Sequence, residues 1–359
     1  MQLRDVIILG GGPAGCATAI SLRAHDPSLK VALIEASSYD RPRVGEVLPS
    51  VARAFLDHLG IWGAFQEERY RPVHSTSATW GHSFLWENHF IYSPHGAGWH
   101  LDRVHFDAFL ARQAAQRGAD VRLATRLVAA QRSKGFWHLR LSDNSELQAR
   151  FVVDATGRRV ALARRMGARP LAFDRLAGFA RFFTLDDDPE PDTLIETFSE
   201  GWWYTAIAGG LRIVACMTDL DVAQRLALRD QNRWLNLLSE TFWIQRSIGN
   251  GELHGQPLIR AANSVLLEPV CATDWLAVGD AASAFDPLSS QGIVKSLRSG
   301  IFASYAIADS LSNSDTTGLA RYERFVQREF TSYQRIHARY CAEERRWPDS
   351  CFWRRRHQN

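Results

Sequence analysis

Three glycines near the start of the chain, Gly10, Gly12 and Gly15, stand in the spacing G-x-G-x-x-G, and Glu35 follows the last of them by twenty positions. Glycines at this spacing permit a tight turn, a close approach of backbone to a pyrophosphate, and close packing of a helix on a strand. Pro13 and Ala14 sit where that helix would begin, so its free N–H groups would face phosphates. The surroundings complete the unit. Val6-Ile7-Ile8-Leu9 reads as a buried parallel strand, Ala14 to Ala24 has helical spacing, and Val31-Ala32-Leu33-Ile34 is a second buried strand ending at Glu35. Strand, glycine turn, helix, strand and acid form a mononucleotide-binding unit, with Glu35 placed to accept hydrogen bonds from a ribose.

Two further segments end strands with small residues. Val152-Val153-Asp154-Ala155-Thr156-Gly157 is, taken alone, an ordinary strand-to-loop turn. Leu276 to Ile293, LAVGDAASAFDPLSSQGI, is sharper. A strand ends at Gly279, Asp280 follows, and a loop with Pro287 opens a helix at Gly292. A carboxylate at a strand end beside a helix start can bind a polyol, and the helix start can stabilise negative charge on a ring carbonyl. A nicotinamide dinucleotide has no polyol between phosphate and ring, whereas a flavin has its ribityl arm.

The elements that must position these residues follow from length and pattern. A chain of 359 residues with net charge +3 suits one large or two interleaved domains and argues against nucleic acid as a partner. Lysine occurs only at Lys30, Lys134 and Lys295 among 42 basic residues. The five cysteines show neither C-x-x-C nor metal-ligand spacing, so they read as reduced and no metal site is expected. No apolar run reaches the length of a membrane span, and the first strand begins too early for a leader to precede it, so the expected location is cytoplasmic, away from membranes. Strands carrying nucleotide motifs recur near residues 6, 152 and 277. Between them lie strand-like stretches at Phe84–Trp86, His89–Tyr92, Phe179–Phe183, Thr193–Phe198, Trp202–Ile207 and Leu211–Met217. Helices are expected over Pro49–Leu59, Arg103–Arg117 and Asp230–Thr241, and from Ser290 to the end. The expected fold is α/β: a Rossmann-like FAD-binding domain of segments 1–75, 101–172 and 270–317, an inserted, mainly antiparallel sheet for substrate (76–100 and 173–269), and C-terminal helices (318–359).

The three motifs in this order resemble those of FAD-dependent monooxygenases of the hydroxybenzoate-hydroxylase fold, over most of the chain. The resemblance implies FAD, its ADP half on Gly10 to Gly15 and Glu35, with Arg103 contacting the cofactor. Asp280 would hold the ribityl chain, and the Pro287 loop and Gly292 would lie by the isoalloxazine ring. Arg43 is a candidate for the pyrophosphate, with a surface arginine as the alternative. Within the fold, GEVLP (Gly45–Pro49), GWWYTA (Gly201–Ala206) and FDPLSSQG (Phe285–Gly292) are similar to one branch. It contains the flavin-dependent tryptophan halogenases and the maturation flavoproteins that make quinone cofactors from Trp or Tyr of partner oxidases (the glycine oxidase and lysine oxidase maturases). Tyr340 to His357 resembles the end of the maturase type. The chain departs from the halogenases twice. Of their W-x-W-x-I-P it keeps only the first Trp, at Trp202, and no lysine follows Glu46 until Lys134 to steer a hypohalous acid.

The implied chemistry is oxygen activation on reduced flavin, for which the protein must position an aromatic ring, exclude water and supply a base. Glu46 is the favoured base because G-E-x-x-P lies near the flavin in the family; His74, His82, His89, His95 and His100 are weaker candidates. Trp202, Trp203 and Tyr204 are expected at the mouth of the site. The tail, with Arg345-Arg346-Trp347 and Phe352-Trp353-Arg354-Arg355-Arg356, reads either as a solvated helix end stacked on the body or as a docking surface for a protein substrate. No second G-x-G-x-x-G occurs, so electrons are expected from transiently bound NAD(P)H or from a separate flavin reductase. The reading is an FAD monooxygenase that hydroxylates Trp or Tyr of a partner oxidase. The alternatives are a monooxygenase or halogenase of a free small aromatic, an isoprenoid reductase, and an FAD-binding interaction subunit.

Overall fold

The computed structural model describes residues 2–90, 96–185, 193–313 and 315–358. Its first layer is an eight-stranded sheet whose parallel core runs Trp275–Ala277, Glu146–Asp154, Gln2–Leu9, Val31–Ile34, Asp120–Arg122. The central strands are apolar on both faces and fully buried at Val6, Ile7 and Ile8, as strands covered by helices on each side must be. Strands Phe136–Leu141 and Glu146–Asp154 pair as an antiparallel hairpin across the Asp143-Asn144 turn. Helix Pro13–His25 carries small residues on all sides, and it packs closely on helix Gly292–Asn313, where Gly300 lies against Ala14 and Ala17.

The second layer is a seven-stranded sheet in the order Leu253–Ala261, Leu176–Thr184, Leu211–Asp219, Gly201–Ala208, Thr193–Phe198, Ser75–Thr79, Trp86–His89. All its neighbours are antiparallel except Thr193–Phe198 with Ser75–Thr79. Both faces of this sheet are covered. One packs on helices Gln231–Leu238 and Trp243–Ile248, around Trp203 and Trp234. The other packs Trp202, Ala206 and Ile213 against Phe352 and Trp353 of the short helix Cys351–His357.

Three expectations need correction. The C-terminal region is not one helical run: Ser290 adopts a left-handed φ of 50°, and helices Gly292–Asn313, Thr317–Glu343 and Cys351–His357 are separate. The third helix needs its own start, and Ser350 supplies it by accepting from the N–H of Trp353. The tail stacks on the body with its aromatic residues buried or half-buried rather than solvated, leaving Arg345 and Arg354 exposed. Phe352 and Trp353 are fully buried, Trp353 donates to Phe198 O at 2.9 Å, and Arg356 pairs with Asp219 at 2.9 Å. Trp203 does not share a face with Trp202 and Tyr204, because successive side chains of a strand point to opposite sides; it lies edge-on to Trp234 at 5.1 Å on the far face. Ile91, Tyr92 and His95 lie outside the described residues.

Candidate functional site

The glycine turn is built as its spacing requires. Gly10 has a φ of 111°, which only glycine adopts without strain, while a side chain on Gly12 would meet open space. Pro13 then opens the helix. Glu35, at the end of its strand, accepts from the N–H of Gly11 at 2.7 Å and from Ser37, and pairs with Arg43 at 3.0 Å. Burial alone would raise its carboxyl; the Ser37 and Gly11 hydrogen bonds and Arg43 outweigh burial and hold it below the ordinary value. Arg43 also pairs with buried Asp107 at 2.7 Å, and Asp107 in turn receives Arg103 at 3.0 Å, so one acid locks two candidate cofactor arginines together. Asp107 carried no motif and was missed in the sequence, although its i,i+4 spacing from Arg103 is a helix-pair signal.

The Gly279-Asp280 turn lies between the two helix starts. A side chain on Gly279 would come within 2.7 Å of Ala14 and 3.2 Å of Ser296. Asp280 receives Lys295 Nζ at 2.8 Å and lies 3.8 Å from Arg158. Burial would raise its carboxyl, and Lys295 and Arg158 more than offset this, so it is held below the usual range and ionised. Its side chain is still 37 % exposed, so oxygen lone pairs remain for a ligand. A side chain on Gly292 would meet open space, as on Gly12. Two helix starts with uncovered glycines and an ionised carboxylate between them fit a flavin dinucleotide, whose phosphates would lie at Gly12–Ala14, ribityl hydroxyls at Asp280 and ring at Gly292. Pro287 opens a one-turn 3₁₀ segment just before Gly292, and Asp286 caps that turn at the N–H of Leu288.

Glu46 joins this cluster through its neighbour. Gly45 has a φ of 107°, and a side chain there would lie 2.6 Å from Arg103 and 3.9 Å from Ile293, beside Gly292. Glu46 is 3 % exposed, and Tyr204 of the inserted sheet donates to its Oε2 at 3.2 Å. Its Oε1 is buried and has no hydrogen-bond partner among the described residues. Burial raises its carboxyl above the ordinary value, and burial beside Glu46 raises the Tyr204 phenol far above its own. A carboxyl so placed holds a proton more readily than an exposed one. The structure thus brings Glu46, Tyr204, Arg103 and Gly292 together, with Trp202 behind Tyr204 on the same sheet face.

The histidines divide. His74 is exposed, His82 stacks on Phe84 at the surface, and His89 pairs with Glu87 in solvent. His100 is buried on strand Gly98–His100, paired with Val47, one residue from Glu46. The lysines also divide. Lys30 and Lys134 are exposed at turns of the first sheet, and Lys295 is buried against Asp280 and the carbonyl of Ser283. Arg158, which donates to the carbonyls of Asn263 and Phe285 beside Asp280, was missed in the sequence; the motif before it was visible, but its long contacts were not. Asp154 of that motif is a clamp, accepting from Thr156, Leu162 and Ala163.

Residues 87–359 match the tryptophan halogenase family and residues 5–168 match the FAD-dependent oxidoreductases. The chain is 29% identical to LodB of Marinomonas mediterranea, named as an FAD-dependent oxidoreductase, over 99% of this chain and 98% of that one. Among solved structures it superposes on the flavin-dependent halogenase CmlS with a TM-score of 0.87 and 26% identity, covering 99% of this chain and 68% of that one. It also superposes on QhpG, a peptidyl tryptophan dihydroxylase essential for tryptophylquinone cofactor biogenesis, with a TM-score of 0.73 and 26% identity over 98% and 78% of the two chains. The expected fold and cofactor hold: the chain belongs to the tryptophan halogenase family of FAD-dependent oxidoreductases.

Proposed function

We propose that this protein hydroxylates an aromatic residue, Trp or Tyr, of a partner protein during biogenesis of a quinone cofactor. The observation that carries the reading is the Glu46–Tyr204 pair, a buried carboxyl with one oxygen unpartnered, in a site with no free lysine. QhpG, which acts on a peptidyl tryptophan, supports the protein-bound substrate. When bound, reduced FAD supplies the two electrons and the activation of molecular oxygen. The chain supplies the rest. Gly12 to Ala14, Glu35, Arg43, Arg103, Asp280, Pro287 and Gly292 would hold the cofactor. Trp202 and Tyr204 wall the ring's side of the site and keep water out. Glu46 Oε1 takes the proton of the indole N–H or phenol O–H as the ring gains a C–O bond, and Tyr204 holds that carboxylate in place. One oxygen atom replaces a ring hydrogen and the other leaves as water.

The lysine placement argues against halogenation, since the one lysine near the cofactor site is tied to Asp280 and Ser283. A free small aromatic is the second reading. It gains from Phe352 and Trp353, which cover part of the inner sheet face and narrow the approach. Coexpression with a candidate partner oxidase, followed by mass measurement of its peptides, tests the proposal. Gain of one or two oxygens on a Trp or Tyr is expected; an unmodified oxidase together with turnover of free indoles or phenols would replace it by the second reading.

A further inference from the structure

The long helix Thr317–Glu343 carries Arg321, Arg324, Arg328, Arg335 and Arg339, all exposed. At 3.6 residues per turn these five fall within an arc of about 60° and run about 27 Å along the helix. No acid shares the arc: Glu323 is on the far side bonding Val270, and Glu329 faces Arg298. None of the five has an ion-pair partner among the described residues. In a chain of net charge +3, five unpaired cations in one row are a local excess, not a reflection of composition.

Beside the row, a cleft of about 630 Å³ separates this helix from Gly292–Asn313. Arg298 projects into it with its guanidinium 5.9 Å from the Phe325 ring, and its Nε is buried without a hydrogen-bond partner among the described residues. Gln291, adjacent to Gly292 of the candidate site, also lines the cleft. Ile336, at 49 % exposure, and Tyr340, at 52 %, flank the row. The row is too long for a small anion. Its apolar flank and mixture of Arg with Tyr suit a polypeptide better than a nucleic acid, which would need phosphate contacts without the apolar edge.

We propose that this face docks an acidic, partly apolar segment of the partner protein, laid along the arginine row with its inner end at Gln291. The proposal rests on the protein-substrate reading above and names the chemistry by which that substrate is recognised. Charge complementarity sets the orientation and the encounter rate, while Ile336 and Tyr340 contribute the buried contact.

The test is fluorescence anisotropy of the FAD-loaded protein with a labelled short peptide of Glu and Asp alternating with Leu. Its Lys-substituted counterpart and a duplex DNA of equal charge are the comparison probes. The acidic peptide should bind, more weakly as salt rises, and R324E/R328E should weaken it by about tenfold or more while the flavin spectrum stays native. Arg140→Glu, on the first sheet, should leave binding unchanged. Absence of peptide binding, equal binding by R324E/R328E, or equal affinity for the DNA would overturn the proposal. In coexpression, normal oxygen gain by R324E/R328E would remove the docking face and leave the hydroxylase standing. Peptide binding that the variant loses, with no oxygen gain even by the wild-type enzyme, would do the reverse.

Discussion

In the proposed reaction, Oε1 of Glu46 is the atom that takes the proton. Glu46→Gln keeps the shape and the contact with Tyr204 but cannot take a proton. Hydroxylation should fall about 10²–10⁴-fold with FAD binding intact, as read by flavin absorbance and single-turnover product. Unchanged turnover would assign the proton to another group. The lysines carry a second prediction at the same scale. With reduced flavin, oxygen and chloride or bromide, no halogenated product should form from tryptophan or other indoles. Halide incorporation seen by mass spectrometry would show that a different residue steers the oxidant.

At the scale of elements, the helix Thr317–Glu343 does more than cover the body. His337 on it donates to Asp286 at 2.9 Å, and Asp286 caps the 3₁₀ turn that leads to Gly292. Burial alone would lower the imidazole; the bonds to Asp286 and Cys341 outweigh it and lift it to about 10. The folded state therefore holds this proton more tightly than the unfolded chain, whose histidine titrates near 6.5. The stabilisation is complete below about pH 6.5 and fades as pH rises towards 10. Urea midpoints across that range should fall more steeply for the wild type than for His337→Gln; equal slopes would show that the pair does not stabilise the fold. The short helix after Ser350 carries the other prediction. Trp353→Ala should cost about 3–5 kcal/mol, and truncation after Glu344, which removes Trp347, Trp353 and the Arg356–Asp219 pair, more. Thermal melts should show a collapse of stability in the truncated protein; a truncated protein as stable as the full chain would mean the helix is peripheral.

Over the whole molecule, what was legible in the sequence was whatever repeats locally. The buried strands, the glycine turns and the 3.6-residue periods of the helices each announce themselves within about ten residues, and the sheets follow from them. Glu46 was legible through its G-E-x-x-P segment, but its partner Tyr204 lies 158 positions away, and the tail's contact with Phe198 spans 155. Such contacts leave no local trace. The face of Trp203 could have been read from strand alternation and was not, because three adjacent aromatics obscure the period of two. The first sheet contains one nucleotide unit, so the reductant is expected to act without a resident site. Calorimetry of the FAD-loaded protein with NADPH should show no stoichiometric binding, and a tight one-to-one isotherm would overturn that expectation.

The cover that Phe352 and Trp353 place on the inserted sheet has a consequence in time. The last strand of that sheet ends at Ala261, so the sheet is complete about 90 residues before its cover is made. At about 5–20 residues per second, translation leaves Trp202, Ala206 and Ile213 bare for roughly 5–20 s. An uncovered aromatic face on a nascent chain is what holdase chaperones capture. Ribosome-bound chains stalled before Ser350 should accordingly retain trigger-factor-type chaperones, and the full chain, once released and folded, should not.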